Sequence, residues 1–536
     1  MYSPTSLDCI VVGYNDQDFS QVEQRHRSVA PHSGIYNHIV TNSVRYGGER
    51  IVYMELLNRV VAEATGQAPG LHICELPNLG VYYLASFLRR RNYNVAIVNF
   101  FNAEKQLLID LLGQSPRAVA ITTTFYTDNE PITEIIRFVR QYNDETKIIV
   151  GGPHIQNLCS TYGPPTLDFL LKGMGADFYV NESQGELTLS RLIGALRSEE
   201  RIDFSEIPNL IFTLDHKDFE RTNRIIENND MDENRVEWKY FDRDEYVPTA
   251  QMRTARSCAF SCAFCRYPIV AGPLNLTSLE VIESEMRDLH SAGVKNLIFV
   301  DDTFNVPLPR FKDICRMMIR NKFDFNWFSY FRCSNSDEKA FDLMRESGCK
   351  GVFLGIESGD QRILNNMNKF AKLERYEYGI RALRQREIVS FVSMIVGFPG
   401  ETAETVLRTK EFIEKTSPTF YRLELYWHDE KVPIHDKAEE FGIRGRGYSW
   451  QHNSMDWREG AEFITNAYKS IKNSVVLPIY MFDFWSIPYL IGKGIPIPKT
   501  VEFARASQEL LRLGLDDFPV DTTDQEKRLV SLFTAN

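Results

Sequence analysis

Three cysteines fall within eight residues, Cys258, Cys262 and Cys265, in the run Arg-Ser-Cys-Ala-Phe-Ser-Cys-Ala-Phe-Cys-Arg-Tyr. A C-x-x-x-C-x-x-C loop can wrap three thiolates around one metal centre. A structural zinc wants four closed ligands, usually from two paired segments, and no second Cys pair or Cys/His knuckle occurs in the chain. A zinc completed by a distant Cys or His stays open as an alternative. Three thiolates suit an iron–sulfur cubane, whose positions are normally filled by four cysteines. A missing fourth ligand leaves one iron free to chelate a small molecule. The other six cysteines, Cys9, Cys74, Cys159, Cys315, Cys333 and Cys349, are scattered. They are too sparse for a disulfide scaffold and read as small buried apolar side chains.

The loop needs a rigid mount, and the sequence around it alternates strand and helix patterns. Gln251–Arg256 suits a short strand leading into the loop, and Thr277-Ser-Leu-Glu280 is a capping-box pattern opening a helix that stops near Gly293. Strand runs then follow at Asn296–Val300, Gly351–Ile356, Val389–Val396 and Tyr421–Tyr426, separated by helical stretches. Polar or glycine-rich residues close these strands: Asp301-Asp302-Thr303, Glu357-Ser358-Gly359 and Gly397-Phe398-Pro399-Gly400. That alternation implies a parallel sheet with its site at the strands' carboxyl ends.

Residues 72–200 form a second such series, with strands at Asn94–Phe100, Ala118–Thr122 and Lys147–Val150. This predicts a doubly wound open sheet whose ligand lies beyond the carboxyl ends. Thr122-Thr123-Thr124 and Gly151-Gly152 close two of the strands. A dinucleotide-binding domain is the alternative, but no G-x-G-x-x-G follows any strand.

The triplet is the radical S-adenosylmethionine (SAM) signature, with Phe264 at the aromatic position before the last cysteine. "VDDTF", "LGIESG" and "GFPGET" resemble motifs of radical SAM proteins that also carry cobalamin. "PNLGVYYLASFLRRRNYNVAIV", "VGGPH" and "ESQGELTL" resemble the cobalamin-binding domain of class B radical SAM methylases. The resemblance implies a [4Fe–4S] cluster on Cys258, Cys262 and Cys265. It implies SAM contacts from Phe264, Asp302, Arg332, Glu357, Gly397, Pro399 and Gly400. Cobalamin would be lined by Leu79, Thr122, Thr123, Thr124, Gly151, Gly152 and Glu186. Asp288–Gly293 fits the D-x-H-x-x-G pattern of cobalt-ligating histidines, but lies in the wrong domain, at the end of a helix. Cobalamin is therefore expected without a protein histidine on cobalt.

The expected architecture is α/β: a doubly wound Rossmann-like cobalamin domain with an N-terminal extension (1–200), a charged linker (201–248), a partial (β/α)6 TIM-type radical SAM core (249–430) and an α-rich C-terminal extension (431–536). The run from Phe19 to about Thr65 reads as a lid or substrate arm. The linker's charges read as a solvated face. In the extension, the aromatic and polar run 448–457 reads either as a surface loop with a buried Trp or as a substrate-pocket segment that excludes water, with Trp450 and His452 as candidate contacts. Its "WQHNSM" together with "YWHD" resembles the phosphinate P-methyltransferase subgroup.

The chain has 536 residues and a formal net charge of -11. With no Lys/Arg-dense segment, this argues against a nucleic-acid partner. No signal peptide is read, and the apolar stretch Val475–Pro498 is interrupted by Asp483, Lys493 and four prolines. A soluble, cytoplasmic enzyme with no membrane partner is expected. The resemblance implies methyl transfer from SAM through methylcobalamin to an unactivated carbon or phosphinate phosphorus of a small-molecule or peptide substrate. Electrons would come from a flavodoxin- or ferredoxin-type donor. The alternatives are non-methylating oxidation, cyclisation or rearrangement with the same cofactors, and a non-catalytic cobalamin or Fe–S sensor.

Overall fold

The computed structural model describes residues 7–198, 203–215, 217–515 and 521–534. The chain divides into two compact units: Met1–Gln17 with Cys74–Tyr246 and Glu280–Asp288, and Asp18–Ile73 with Val247–Leu279 and Leu289–Asn536.

In the first unit, strands β1 (Cys9–Tyr14), β2 (Val95–Phe100), β3 (Ala118–Thr122), β4 (Lys147–Gly151), β5 (Phe178–Val180), β6 (Leu210–Phe212) and β7 (Glu220–Arg221) make one sheet in the order β2-β1-β3-β4-β5-β6-β7. The first five run parallel, and β6 and β7 are antiparallel additions. β1 is buried along its whole length, as expected of a parallel strand covered on both faces. Ile10, Val12, Val98, Val119, Ile121 and Ile148 pack beneath Ile132, Ile135 and Val139 of helix Glu130–Tyr142. Strand order reverses between β1 and β3, which puts the crevice for a ligand at their carboxyl ends.

In the second unit, β8 (Thr249–Met252), β9 (Asn296–Phe299), β10 (Asn326–Tyr330), β11 (Cys349–Glu357), β12 (Val389–Val396), β13 (Phe420–Leu425) and β14 (Val475–Val476) are parallel and adjacent in chain order. This is the expected radical SAM type of sheet with one strand more: β14, from the C-terminal extension, pairs with the start of β13. Two residues are too short to show a period. Register places Tyr330, Phe353, Phe391 and Phe420 side by side, then Gly355, Ser393 and Arg422, then Ile395 and Glu424. Phe484 of the extension packs on Phe328, Phe353 and Phe391 and floors the inner face.

The segment Asp18–Ile73 belongs to this second unit. It carries helices Phe19–Val29, Gly34–Thr41 and Tyr53–Thr65 and a small hairpin, Val44–Tyr46 with Glu49–Ile51. Gly34 lies so close to Tyr448 that a Cβ there would stand 2.5 Å from the Tyr448 carbonyl oxygen. The Asn42 side chain accepts the Ile479 N–H at 2.9 Å.

Candidate active site

The cysteine loop leaves β8 through a short strand, Ala255–Arg256, and is anchored on both sides at Ala263. Its N–H donates to the Met367 carbonyl (2.8 Å) and its carbonyl accepts from Ile434 N–H (2.9 Å). The Asn368 amide donates to the Ser261 carbonyl at 2.8 Å. Two backbone bridges from separate segments fix the loop's path before any metal is considered. Cys258 Sγ lies 3.4 Å from Thr303 Oγ1, at the end of β9. Burial pushes the Cys265 thiol up to about 11, with smaller contributions from Cys262, Asp302 and Cys258. All three thiols are free. Among the described residues no three His, Cys, Asp or Glu side chains gather tightly enough for one metal ion, whereas a cubane spreads its thiolates around four irons.

Around the loop lie the side chains expected to receive SAM. The Arg332 guanidinium stacks on Phe260, 3.6 Å from the ring centre, inside the cysteine loop. Arg332 is buried and its Nη2 has no hydrogen-bond partner. Such an unspent cationic donor fits a carboxylate, and SAM carries one. Glu357 ends β11 with φ +74°, a conformation costly for a residue with a side chain. Its carboxylate folds back over Gly355, where a Cβ would sit 2.5 Å from Oε1, and meets Lys369 Nζ at 3.0 Å. Burial, the largest single influence, opposes the Lys369 charge, but the negative groups around it, Glu357 foremost, together hold the ammonium pKa above its usual range. Phe264 packs edge-on against Phe398, with centroids 6.4 Å apart.

Asp302 lies in a recess open to water yet ringed by protein. That surrounding, and then the Asp301 charge, push its acid up to about 7. Asp301 itself is buried and accepts from Thr254 N–H (2.6 Å) and Ala255 N–H (2.9 Å), just before the cysteine loop. It positions that loop, and the sequence singled out only its neighbour.

The turn after β12 has Gly397 at φ +92° and Gly400 at φ +91°. A Cβ on Gly397 would stand 2.2 Å from the Trp450 ring. Trp450 is 2% exposed, its indole N–H donates to the Tyr426 carbonyl at 2.6 Å, and it stacks on His452. His452 Nε2 lies 3.3 Å from the Gly397 carbonyl oxygen. Of the two extension candidates, His452 thus turns a ring nitrogen to this turn, while Trp450 sets its ring against it and spends its N–H on Tyr426.

In the first unit, Leu79, Thr122, Thr123, Gly151 and Gly152 gather at the sheet's carboxyl edge. Leu79 opens the helix Leu79–Arg89, whose Asn78 cap accepts from Gly80 N–H. A Cβ on Gly80 would meet Asn78 Oδ1 at 3.3 Å, Thr124 Oγ1 at 3.5 Å and Thr122 Oγ1 at 3.6 Å. A Cβ on Gly152, which holds φ +111°, would stand 2.8 Å from Thr123 Oγ1. Thin backbone, two neighbouring hydroxyls 3.2 Å apart (Thr122 and Thr124) and the exposed ring of Phe125 beside Tyr14 form this edge. It fits a large, partly apolar ligand with amide groups. Glu186 lies apart from that description: its oxygens accept from the Asn229 and Asn234 amides.

A family model for the radical SAM superfamily matches residues 252–413, and one for the B12 binding domain matches residues 74–178. The chain carries a radical SAM domain and a cobalamin-binding domain. An uncharacterized methyltransferase of Pyrococcus horikoshii is 28% identical over 357 residues, covering 63% of this chain and 73% of its own. An anaerobic magnesium-protoporphyrin IX monomethyl ester cyclase of Rubrivivax gelatinosus is 23% identical over 393 residues, covering 68% and 66%. In fold, the chain is similar to the radical SAM methyltransferase TsrM of Kitasatospora setae, solved with cobalamin and a [4Fe-4S] cluster, with a TM-score of 0.60 at 18% identity over 82% of this chain and 96% of that one. The cobalamin-dependent SAM radical enzyme OxsB, in its apo form, gives 0.56 at 14% identity over 80% and 69%.

Several contributors carried no sequence signal. Lys369 follows a short helix and belongs to none of the motifs. Ile434 acts through its backbone. Within the linker, Glu227, Asn234 and Glu237 are buried, so part of the charge taken for a solvated face is spent inside. The pattern residue His290 bonds Asp324 at 2.9 Å. Among the described residues no helix is long and apolar enough to cross a membrane.

Proposed function

We propose that this enzyme transfers a methyl group from SAM, by way of cobalamin, to an unactivated carbon or a phosphinate phosphorus of a natural-product or peptide substrate. The observation that carries the reading is one chain holding both a radical SAM and a B12-binding match, with a curated relative named as a methyltransferase. When bound, the cluster supplies the electron that splits the sulfonium and cobalamin supplies a transferable methyl group; the protein contributes binding, orientation and exclusion.

Cys258, Cys262 and Cys265 would hold the cluster. Arg332 would neutralise the SAM carboxylate, and Glu357, Asp302, Phe264 and the turn with Gly397, Pro399 and Gly400 would orient the rest of SAM. Leu79, Thr122, Thr123, Thr124, Gly151 and Gly152 would receive the corrinoid, with Glu186 bracing the adjoining segment. Trp450 and His452 would act by shaping the Gly397 turn. The enzyme works in the cytoplasm and takes electrons from a flavodoxin- or ferredoxin-type donor.

The test is anaerobic reconstitution with iron, sulfide, cobalamin and reductant, followed by SAM labelled in its methyl group. Both S-adenosylhomocysteine and 5′-deoxyadenosine are expected. Cys262→Ala should keep the fold and lose deoxyadenosine; unchanged cleavage in that variant refutes the ligand assignment. A second reading, ring closure without methyl transfer, is favoured by relatives named as cyclases. A product that gains about 14 Da per turnover supports transfer, and loss of hydrogen alone supports closure.

A further inference from the structure

Arg422 and Glu424 lie on one face of β13, two residues apart. Register sets Arg422 beside Ser393 and Gly355, and Glu424 beside Ile395, one step below the Gly397 turn. They stand on the inner face, above the floor of Phe353, Phe391 and Phe484. The Arg422 guanidinium is 5.3 Å from the Phe391 ring centre and 5.8 Å from that of Phe353.

Arg422 Nε and Glu424 Oε1 touch at 2.6 Å, yet neither makes an aligned hydrogen bond and both atoms are buried. The two atoms are held by charge across this short contact, and among the described residues no other group bonds to either of them. Asp483, from the C-terminal extension, also feels the Arg422 charge; burial, its largest influence, pushes its acid up to about 6. One guanidinium therefore faces two carboxylates, Glu424 in direct contact and Asp483 through its field alone. His38, from the N-terminal arm, comes within 3.6 Å of Glu424 Oε2, and burial lowers its pKa, so it adds no cation at neutral pH. Its ring lies between Tyr448, stacked at 5.1 Å, and Tyr480, edge-on at 5.3 Å. Burial and then Glu424 raise both phenols, Tyr480 to about 12, so the carboxylate's field reaches each of them.

An inner wall with one carboxylate in excess, flanked by aromatic rings, is complementary to a cation, not to an anion. We propose that Glu424, sharing the Arg422 charge with Asp483, anchors a protonated amine of the substrate, and that His38, Tyr448 and Tyr480 form the aromatic wall beside it. The arm Asp18–Ile73 thereby becomes part of the substrate site. That this ligand is the substrate rests on the reading under Proposed function; that the site prefers an amine does not. An anionic phosphinate would meet net negative charge here, so the methyl acceptor of an amine-bearing substrate would be a carbon or a group remote from this anchor.

The test uses reconstituted holoenzyme with SAM under anaerobic calorimetry and two probes of matched shape, phenethylamine and 3-phenylpropionate. The amine should bind at least tenfold more tightly than the carboxylate at pH 7.5, and Glu424→Gln should lose at least tenfold of amine affinity. Equal or reversed preference in the wild-type protein overturns the proposal, and so does amine binding unchanged in Glu424→Gln. The wild-type comparison decides even if that variant fails to fold. Holoenzyme that forms 5′-deoxyadenosine yet binds neither probe refutes the amine anchor alone. Holoenzyme that forms none refutes the catalytic reading, and the probe preference is scored separately.

Discussion

Glu357 and Lys369 meet at 3.0 Å, with side chains only 11% and 8% exposed, and the glutamate holds a left-handed backbone conformation to do so. Breaking a buried pair from one side leaves an uncompensated charge, typically at a cost of about 3–5 kcal/mol. Lys369→Met should therefore destabilise the protein by about 3 kcal/mol, while adding Glu357→Gln should restore part of it. Chemical denaturation of the two single variants and the double variant measures this. Additive losses would mean that the ion pair is not the coupled unit described here.

The Gly397 turn is predicted to tolerate no side chain. Alanine there must keep φ +92° and push its Cβ against the Trp450 ring, combining backbone strain with overpacking, each roughly 1–3 kcal/mol. Gly397→Ala should lower stability and weaken SAM binding together. Trp450→Leu in the same chain should relieve the packing share but leave the strain. Wild-type SAM affinity in Gly397→Ala would show that the turn does not shape that site.

Sequence alone conveyed the chemistry better than its supports. The cysteine spacing and the strand-end motifs could be read because they are local and ordered along the chain. β1 escaped the reading although it is an interior strand, paired on both sides. Its run Cys9–Tyr14 is a short apolar stretch without period, and 59 residues separate its end from the return at Cys74. Proximity in sequence suggested that Asp18–Ile73 would go with the cobalamin domain, but it packs with the barrel. Glu424 and His38, 386 positions apart, are neighbours only through tertiary folding, and nothing in either local pattern announces the other. Asp301 and Asp302 show the same limit at close range: strand alternation says that one turns in and one out, but not which of them carries the loop.

Glu227 should prove a structural acid despite its charged surroundings. It accepts from Leu187 N–H (2.9 Å), Thr188 N–H (2.8 Å) and the Thr188 hydroxyl (2.6 Å), capping the helix Glu186–Arg197 from a distant segment. Charged acceptors at a helix start satisfy its free N–H groups and complement its dipole. Glu227→Ala is expected to cost about 2 kcal/mol, seen as a lower urea midpoint and as faster amide exchange at Leu187 and Thr188. Exchange unchanged at those two amides would remove the capping role.

Glu401 gives the stability a pH dependence with a definite sign. It is fully buried, its Oε2 accepts the Gly397 N–H at 2.5 Å, and its Oε1 has no partner. Burial, outweighing the backbone hydrogen bonds, raises its pKa from the usual 4.5 to about 8. Because the folded pKa lies above the unfolded one, folding takes up a proton between them. The stability this group contributes is complete below about pH 4.5 and is lost as pH rises through about 8. Glutamine mimics the protonated acid and does not titrate. Glu401→Gln should thus match the wild-type melting temperature at about pH 4 and exceed it at pH 8.5, by up to roughly 4 kcal/mol of stability. Melting curves at the two pH values decide it: profiles that run parallel would mean that Glu401 is already ionised in the folded protein, and that the Gly397 turn is held by a carboxylate rather than by a neutral acid.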